Sequence, residues 1–229
     1  NPRVSISFDA SDNAMFYATA AQGFRVGGGN GEAISALGLP AVYRPDSIWS
    51  YELGLKSTLL DERLMLNLTA FYIDWSDVQV TLRSPFGTQY TDNAGDAESY
   101  GLELETRFAL TEGLSGGATL TLNRAELTED VPDLLQSSGI VGAESGDRLI
   151  GAPQVAGSLD LQYDFRVGSL PLWLRGEYQY QGESYSDFTR AAAAEMGDYS
   201  VVNLRLGVDL GALSLVAYAE NVADGDGIV

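Results

Sequence analysis

The amino-acid sequence predicts an all-β protein: an antiparallel up-and-down transmembrane β-barrel, here a fragment of about ten strands of a larger barrel. Three observations lead to this prediction. Apolar and polar residues alternate with a period of two, the alternating segments are long, and the connections between them alternate between short and long. A helical period of 3.6 is nearly absent, apart from the Ala-rich stretch 191–196, which predicts a helical turn or two within a loop.

The alternation is clear in segment 97–110, where Tyr100, Leu102 and Leu104 fall on one side and Glu103 and Glu105 on the other. Successive side chains of a strand point to opposite faces, so this segment predicts a strand with one apolar and one wet face. Most such segments reach the roughly 9–11 residues that a tilted strand needs to cross a bilayer. In chain order we predict ten strands, at about 4–10, 14–23, 47–59, 64–82, 97–110, 114–125, 153–166, 170–182, 199–210 and 213–221.

Short and long connections follow one another along the chain. The short ones are 11–13, 60–63, 111–113, 167–169 and 211–212, and the long ones are 24–46, 83–96, 126–152 and 183–198. Outer-membrane barrels have this pattern, with tight periplasmic turns and longer extracellular loops. A soluble β-sandwich, the less favoured alternative, has no reason to place every long loop at one end and normally covers its apolar face with a second sheet.

Aromatic residues near the predicted strand ends are typical of the girdles that barrels place at the two lipid–water interfaces. The predicted girdle residues are Trp49, Tyr51, Tyr72, Trp75, Trp173, Tyr178 and Tyr180. For each residue taken singly, ordinary core packing is an equal alternative. Their collective placement favours the girdle.

Composition excludes several kinds of chemistry. The 229 residues include no Cys and no His, which excludes disulfides, thiol catalysis, Ser-His-Asp hydrolysis and imidazole haem ligation within this chain. The net charge of −19, from 13 Lys and Arg against 32 Asp and Glu, argues against nucleic-acid binding. Apolar runs are only a few residues long, so no transmembrane helix fits. Positions assigned to the lumen nearly balance in charge, so the excess acid is expected in loops, turns and strand rims.

No constellation predicts catalysis or a cofactor, and we expect no enzyme. Glu103 and Glu105 share a face but are better interpreted as wet lumen residues than as an acid–base pair. The glycine-rich stretch 25–31 lacks the lysine and the following helix of a phosphate loop, so a flexible extracellular loop is favoured. Loop 126–148 is acidic and raises the question of Ca²⁺ binding, but its spacing matches no EF-hand, and a solvated loop is the favoured interpretation.

Five segments, in order, resemble the C-terminal barrel region of TonB-dependent outer-membrane receptors. They are FYATAAQGFR (16–25), YRPDSIWSYELGLK (43–56), LNLTAFYIDWSDVQ (66–79), NAGDAESYGLELE (93–105) and ENVAD (220–224). Any one of these matches alone would be weak, whereas their order over nearly the whole chain makes the resemblance specific. Within them, Gly54 and Gly101 lie on predicted strands, where glycine permits bending or close backbone approach. Residues 93–96 predict a turn.

The resemblance implies a multi-pass barrel in the bacterial outer membrane that takes up a scarce solute, such as an iron–siderophore complex, with energy relayed by TonB. Vitamin B12, nickel and oligosaccharide importers share the architecture. Family members also carry a plug domain, a TonB box and a closing strand, none of which is matched here. Residues 1–229 are therefore expected to be a partial barrel domain that lacks the plug and final strand of a barrel of about 22 strands.

The partners that the resemblance implies are outer-membrane lipid and lipopolysaccharide, TonB through the absent plug, and a small solute such as a ferric siderophore. A passive porin-like barrel closed on its own ten strands, and a soluble acidic carbohydrate-binding sandwich, are the alternatives. Ligand contacts in such receptors come from plug apices, extracellular loops and lumen walls. The candidates in this chain, each with an ordinary loop residue as its alternative, are Tyr43, Arg44, Phe86, Tyr90, Tyr185, Phe188 and Arg190.

Overall fold

The computed structural model describes residues 1–135, 141–188 and 194–225, and their regular secondary structure is almost entirely β. In chain order the elements are β1 (Arg3–Ser11), β2 (Ala14–Arg25), β3 (Gly28–Gly29), α1 (Glu32–Ser35), β4 (Val42–Tyr43), β5 (Asp46–Leu59), β6 (Leu64–Ser76), β7 (Gln79–Arg83), β8 (Gln89–Asn93), β9 (Ala97–Ala109), β10 (Leu114–Leu127), β11 (Val131–Leu135), β12 (Val141–Ala143), β13 (Val155–Val167), β14 (Leu170–Gln181), β15 (Ser184–Tyr185), β16 (Glu195–Met196), β17 (Tyr199–Asp209) and β18 (Ser214–Ala219). None of the described helices is long and apolar enough to cross a membrane.

Ten of these strands form one antiparallel sheet in the order β1-β2-β5-β6-β9-β10-β13-β14-β17-β18. Each strand pairs with its neighbour along the chain within this set, which is the up-and-down arrangement. The ten strands correspond to the ten predicted segments, so the predicted all-β class and strand order are confirmed. The long connections all leave the same end of the sheet, and they carry the remaining short strand pairs.

Three sequence predictions about local structure need correction. The predicted strand 64–82 is two strands, because Asp77 takes a φ of 56° and turns the chain out of the sheet into the β7–β8 hairpin. Within the predicted helical stretch 191–196, Glu195 and Met196 form β16 instead, while residues 191–193 lie outside the described residues. The short helix α1 lies in the first long connection, where the sequence predicted only loop.

The sheet has one apolar face that no other part of the described chain covers. Leu53 on β5 and Leu102 on β9 are 62% and 46% exposed, and exposed leucines continue on β13, β14 and β17. A soluble fold buries such a face under a second layer. An uncovered, alternating apolar face is what a membrane-spanning sheet presents to lipid, which argues against the sandwich alternative.

The opposite face is polar, and its charges pair across strands. Arg107 lies 3.4 Å from Asp160, and Arg175 lies 3.5 Å from the same carboxylate. Glu177 continues the row, 2.9 Å from Arg175 and 2.5 Å from Arg205. These ion pairs agree with the near-balance of charge expected on lumen-facing positions.

Two glycines on this polar face let neighbouring groups come close to the backbone. A Cβ atom at Gly54 would collide with the ring of Tyr17, whose hydroxyl is 2.9 Å from Oγ1 of Thr69. A Cβ at Gly101 would collide with the carbonyl oxygen of Leu122. Close approach therefore explains both glycines of the motifs, as predicted.

The sheet is open at both edges. β1 and β18 end the strand order and do not pair with each other, and every residue of β1 is exposed. Strands with unpaired backbone N–H and C=O groups recruit other strands. In the described residues the ten strands do not close a barrel by themselves, which fits a segment of a larger barrel and not a porin of ten strands.

Candidate functional site at the loop end of the sheet

The hydrophobic core of the described chain lies among the long connections, not in the sheet. All four connections contribute buried side chains, among them Ile34, Leu82, Leu134 and Phe188. Val78 and Leu127, at the bases of two connections, belong to the same cluster. Because described residues of all four connections belong to one buried apolar cluster, they form one packed layer. We call it the loop layer (the described residues of 26–45, 77–96, 128–154 and 182–198).

Asp46 ties the first and second connections together at the base of the loop layer. It is 3% exposed and accepts hydrogen bonds from Nε of Arg25, at 2.9 and 3.0 Å, and from Nε1 of Trp75, at 3.0 Å. The backbone N–H of Gln79 donates to it at 3.2 Å, and the Gln79 side chain donates to the carbonyls of Val26 and Arg44. A buried carboxylate needs such donors, because an unpaired one would be strongly destabilising.

A second set of bonds is centred on Asn93. Its Oδ1 accepts from the backbone N–H of Arg44 at 2.7 Å, and its Nδ2 donates to the carbonyl of Asp77 at 2.7 Å. The Arg44 guanidinium pairs with Asp77. Arg44, one of the predicted ligand contacts, is therefore engaged in holding the first connection to the second.

Asn30 adds to this attachment, because its side-chain amide bonds to the backbone of Thr91 as the backbone of a neighbouring strand would. Its Nδ2 donates to the carbonyl of Thr91 at 2.7 Å, and its Oδ1 accepts from the N–H of Thr91 at 2.8 Å. The glycine-rich stretch 25–31, predicted as a flexible loop, thus contains strand β3 and a residue that is bonded to β8.

Several acidic residues of loop 126–148 accept hydrogen bonds from backbone N–H groups within the loop layer. Glu129 accepts from the N–H of Asp96 at 3.1 Å, Asp130 from Ser145 at 2.9 Å and Asp147 from Glu144 at 2.8 Å. No group of three His, Cys, Asp or Glu that would hold a metal ion occurs within the described ranges. These contacts support the structural interpretation of the loop over the Ca²⁺ alternative.

Burial changes the protonation chemistry of two residues on β8. Burial, with smaller contributions from Asp92 and Asp187, raises the pKa of Tyr90 to about 12. Burial also raises the pKa of Asp92 above that of an ordinary carboxyl, against the opposing hydrogen bond from Asn93 and the charge of Arg44. The hairpin thus carries groups that favour their neutral forms.

A pocket of about 240 Å³ lies between the third and fourth connections. Its lining includes Arg124, Glu126, Arg148, Tyr185 and Asp187. The Arg148 guanidinium lies 4.8 Å from the centre of the Tyr185 ring and donates to Glu183 at 2.8 Å. Tyr185 and Phe188 are the two predicted ligand contacts that line a common pocket.

The other predicted contacts are dispersed through the loop layer. Phe86, at the tip of the β7–β8 hairpin, is 79% exposed, whereas Tyr90 is 3% exposed and belongs to the core cluster. Tyr43 lies on β4 with its ring against Gly28. Arg190 lies outside the described residues.

The predicted girdle residues lie on both faces of the sheet. Tyr51 and Tyr72 are opposite each other on the apolar face, with ring centres 6.4 Å apart, and Trp49 stacks on Tyr51 at 6.1 Å. Tyr178 and Tyr180 alternate with Gln179 on the apolar face of β14. Alternation places Trp75 and Trp173 on the polar face, where Trp75 bonds Asp46 and the ring of Trp173 lies over Gly207. An interfacial role for the remaining five stays a prediction.

Sequence reasoning missed the residues that hold the loop layer together: Asp46, Gln79, Asn30 and Asn93. Asp46, Gln79 and Asn93 lie inside three of the five resembling segments, which was a usable signal. Asn30 lies outside them, and because its partner Thr91 is far away in the sequence, no local pattern indicates it.

Comparisons with known proteins agree with this architecture. A sequence profile of the family "TonB dependent receptor-like, beta-barrel" matches residues 1–222. The metal-pseudopaline receptor CntO of Pseudomonas aeruginosa is 30% identical over 208 residues, covering 89% of this chain and 26% of that protein. The pesticin receptor of Yersinia enterocolitica is 26% identical, covering 80% of this chain and 26% of that protein.

The fold is also found in solved structures. The ferric yersiniabactin uptake receptor FyuA from Yersinia pestis superposes with a TM-score of 0.76 at 21% identity, over 97% of this chain and 32% of that one. The siderophore receptor PiuA from Acinetobacter baumannii gives 0.73 at 19% identity, over 97% and 31%. The chain thus spans only about a quarter to a third of the length of these proteins. Barrels of this kind reside in the outer membrane, and the family match extends over nearly the whole sequence. The chain belongs to the TonB-dependent receptor-like β-barrel family.

Proposed function

We propose that this chain forms part of the wall of a TonB-energised outer-membrane receptor that imports a scarce metal bound to a small organic chelator, such as an iron–siderophore complex. The observation that carries the proposal is the family match over residues 1–222. The structure supports it with a sheet whose long connections form a packed layer at one end. Such a layer offers a shaped surface to a ligand, which separate flexible loops do not.

The relatives favour a metal chelate over other solutes. CntO is named for a metal complex of pseudopaline, and FyuA for ferric yersiniabactin. Both are receptors for a metal held by an organic ligand, and we propose the same class for this chain. No bond is made or broken in such uptake, so the proposal needs no catalytic group.

In this proposal β1 and β18 pair with further strands of the receptor, and TonB acts through a plug domain carried elsewhere in it. The ten strands supply wall and loops, not the energy-coupling part. The exposed Phe86 is the candidate for direct ligand contact, together with Tyr43 and Tyr185. Tyr90 and Phe188, which are buried, would act by shaping the loop layer.

A transport assay in a deletion strain tests the proposal. The intact receptor is restored in cells with and without TonB, and the cells are given radioactive iron or nickel that is bound to chelators from their own metal-starved culture medium. We expect accumulation of one of these metals that requires both the receptor and TonB. Accumulation that needs the receptor but not TonB would support the passive-barrel alternative. No receptor-dependent accumulation of either metal would contradict the metal-chelate assignment.

A further inference from the structure

A recess lies on the polar face of the sheet near its short turns, and we call it the Arg107 recess. It holds about 370 Å³, and its lining includes Met65, Arg107, Ser115, Asp160 and Arg175. Met65 pairs with Arg107 across β6 and β9, so both lie on the polar face. Arg107 lies two residues before the end of β9, at the end of the sheet opposite the loop layer. In an outer-membrane barrel this is the periplasmic end of the lumen wall.

The recess carries a net positive charge in a chain whose net charge is −19. Three guanidinium groups line it against two carboxylates: Arg63, Arg107 and Arg175 against Glu62 and Asp160. Arg107 and Arg175 approach the same Asp160 carboxylate at 3.4 and 3.5 Å, which is long for a charged pair. Arg63 donates to two neutral backbone carbonyls of the neighbouring strand end. A guanidinium has five N–H donors, so the recess keeps donors for a further anionic oxygen.

Gly117 keeps the recess open. A Cβ atom at this position would lie 2.9 Å from Nη1 of Arg107 and 3.1 Å from Oδ1 of Asp160. Any larger residue would therefore fill the space in which the two charged groups approach each other. The Arg107 side chain is 60% exposed on the open side of this space. The glycine thus leaves a positively charged group accessible in the lumen wall.

The next charges along the same face are closely paired. Glu177 lies 2.9 Å from Arg175 and accepts a hydrogen bond from Nη1 of Arg205 at 2.5 Å. Arg205 pairs with Arg175 in the strand register, so it lies on the same face, but it is outside the recess. Arg205 therefore provides a comparison: the same charge on the same face, held by a close carboxylate partner.

We propose that the Arg107 recess is an exit site, which binds a carboxylate group of the imported metal chelate as the chelate leaves the lumen for the periplasm. The inference rests on the proposed function and adds a second site to it. Chelators that hold a metal through oxygen atoms carry anionic oxygens, and planar guanidinium groups match a carboxylate in shape and charge. At 370 Å³ the recess has room for part of such a molecule.

The position of the recess separates it from the contacts of the loop layer. Arg107 lies ten residues from Ala97 at the loop end of β9, or about 33 Å at the rise of a strand. One small chelate cannot reach both places, so the recess acts after the first binding step, once TonB has moved the plug away from the wall. The long contacts to Asp160 suit passage, because a transport site must bind its solute weakly enough to release it.

The uptake assay of the proposed function, run with the intact receptor, separates the two steps. In cells without TonB, Arg107→Gln and Arg175→Gln should bind the radioactive chelate at the surface as the wild type does. In cells with TonB they should accumulate it about three- to tenfold more slowly, as expected for the loss of one hydrogen bond of ordinary net strength. Arg107→Lys should keep most of the rate, and Arg107→Glu should be slower than Arg107→Gln because it repels a carboxylate. Arg205→Gln is the matched control and should accumulate the chelate as the wild type does.

Equal accumulation by Arg107→Gln, Arg175→Gln and Arg205→Gln, with normal surface binding, would overturn the exit site and leave the proposed function intact. Accumulation by Arg107→Glu that is faster than that of the wild type would contradict an anionic ligand. Absence of surface binding by the wild type would contradict the proposed function itself, and the exit site with it.

A further measurement distinguishes the chelate from the plug as the occupant of the recess. Entry of a large hydrophilic antibiotic, which a plugged barrel excludes, should be the same in all variants. Increased entry confined to Arg107→Gln and Arg175→Gln would show that these arginines hold the plug, and would overturn the exit site. The amount of receptor in the outer membrane is measured for each variant. Because Arg107 is largely exposed, its three variants decide the question even if Arg175→Gln fails to assemble.

Discussion

Trp75 donates its indole N–H to the carboxylate of Asp46 across 3.0 Å, and this bond joins β6 to β5 where the sheet meets the loop layer. Arg25 and the N–H of Gln79 bind the same carboxylate. One buried acid therefore anchors the first and second connections to the barrel wall.

Replacing Asp46 with Ala should loosen the loop layer. The change leaves the half-buried N–H donors of Trp75 and Gln79 without their acceptor, so we expect a loss of about 2–3 kcal/mol. Protease cleavage of the first two connections in intact cells, with chemical unfolding in detergent, measures this loss. Asp12→Ala, in the exposed β1–β2 turn, is the control and should behave like the wild type. Equal protease sensitivity of the two variants would contradict the anchoring role.

The strand glycines predict a graded series. Gly101→Ala should be the most destabilising, by about 2–3 kcal/mol, because its Cβ would strike the backbone carbonyl of Leu122, which cannot rotate away. Gly54→Ala should cost less, since the ring of Tyr17 can move at the expense of its bond to Thr69. Gly176→Ala is the control, because its nearest contact is Leu204 Cδ2 at 3.6 Å. Unfolding in detergent that ranks the three variants otherwise would refute the close-approach account.

Alkaline pH should open the loop layer through Tyr90. Burial raises its pKa to about 12 from an ordinary value of about 10, so the folded state holds the phenolic proton to higher pH than the unfolded chain. This stability is fully present below about pH 10 and is lost as the pH rises through about 12, by at most roughly 3 kcal/mol. Protease sensitivity of the connections, followed from pH 9 to 12, should rise for the wild type. Tyr90→Phe should flatten that rise, and an unchanged profile would contradict this origin.

Replacing Phe188 and replacing Phe86, two phenylalanines of the loop layer, should affect stability differently. Phe188→Ala removes a core side chain that is 3% exposed and should destabilise the loop layer by roughly 3–5 kcal/mol. Phe86→Ala removes a side chain that is 79% exposed, so stability should stay within about 0.5 kcal/mol of the wild type. If Phe86 contacts the ligand, uptake of the metal chelate should fall in the folded Phe86→Ala receptor. Unfolding in detergent and uptake are measured on both variants. A destabilised Phe86→Ala receptor, or a Phe188→Ala receptor as stable as the wild type, would contradict these roles.

Alternation predicted the sheet because each strand shows it within its own sequence: apolar residues suit the face toward lipid, and polar residues suit the face toward water. The single error of length, at 64–82, arose where Asp77 takes a left-handed conformation without a glycine to indicate it. Local periodicity also had no means to show the short hairpins of the loop layer, whose strands are two to five residues long.

The site was harder to predict, because its residues act through tertiary contacts. Tyr90 and Phe188 are aromatic residues in loops, which made them candidate ligand contacts, but packing between the connections buries them. Arg44 belongs to a recognisable motif, yet its side chain forms an ion pair with Asp77. Trp75 lies at a strand end, as an interfacial residue would, and only its pairing with Ile48 and its bond to Asp46 show which face it occupies.

One face of this sheet is apolar and suits lipid, and the other is polar and suits a water-filled lumen. Residues 1–229 contain no cysteine. In an intact receptor with any cysteine elsewhere replaced, single cysteines can be placed one at a time along β9 in the outer membrane of intact cells. We expect cysteines at 103, 105 and 107 to react with a small water-soluble thiol reagent. Those at 100, 102, 104 and 106 should be protected from it and, once labelled with a lipid-permeant fluorescent thiol reagent, should be quenched by a lipid-soluble quencher. Uniform reactivity along the strand, or protection without a period of two, would contradict this arrangement.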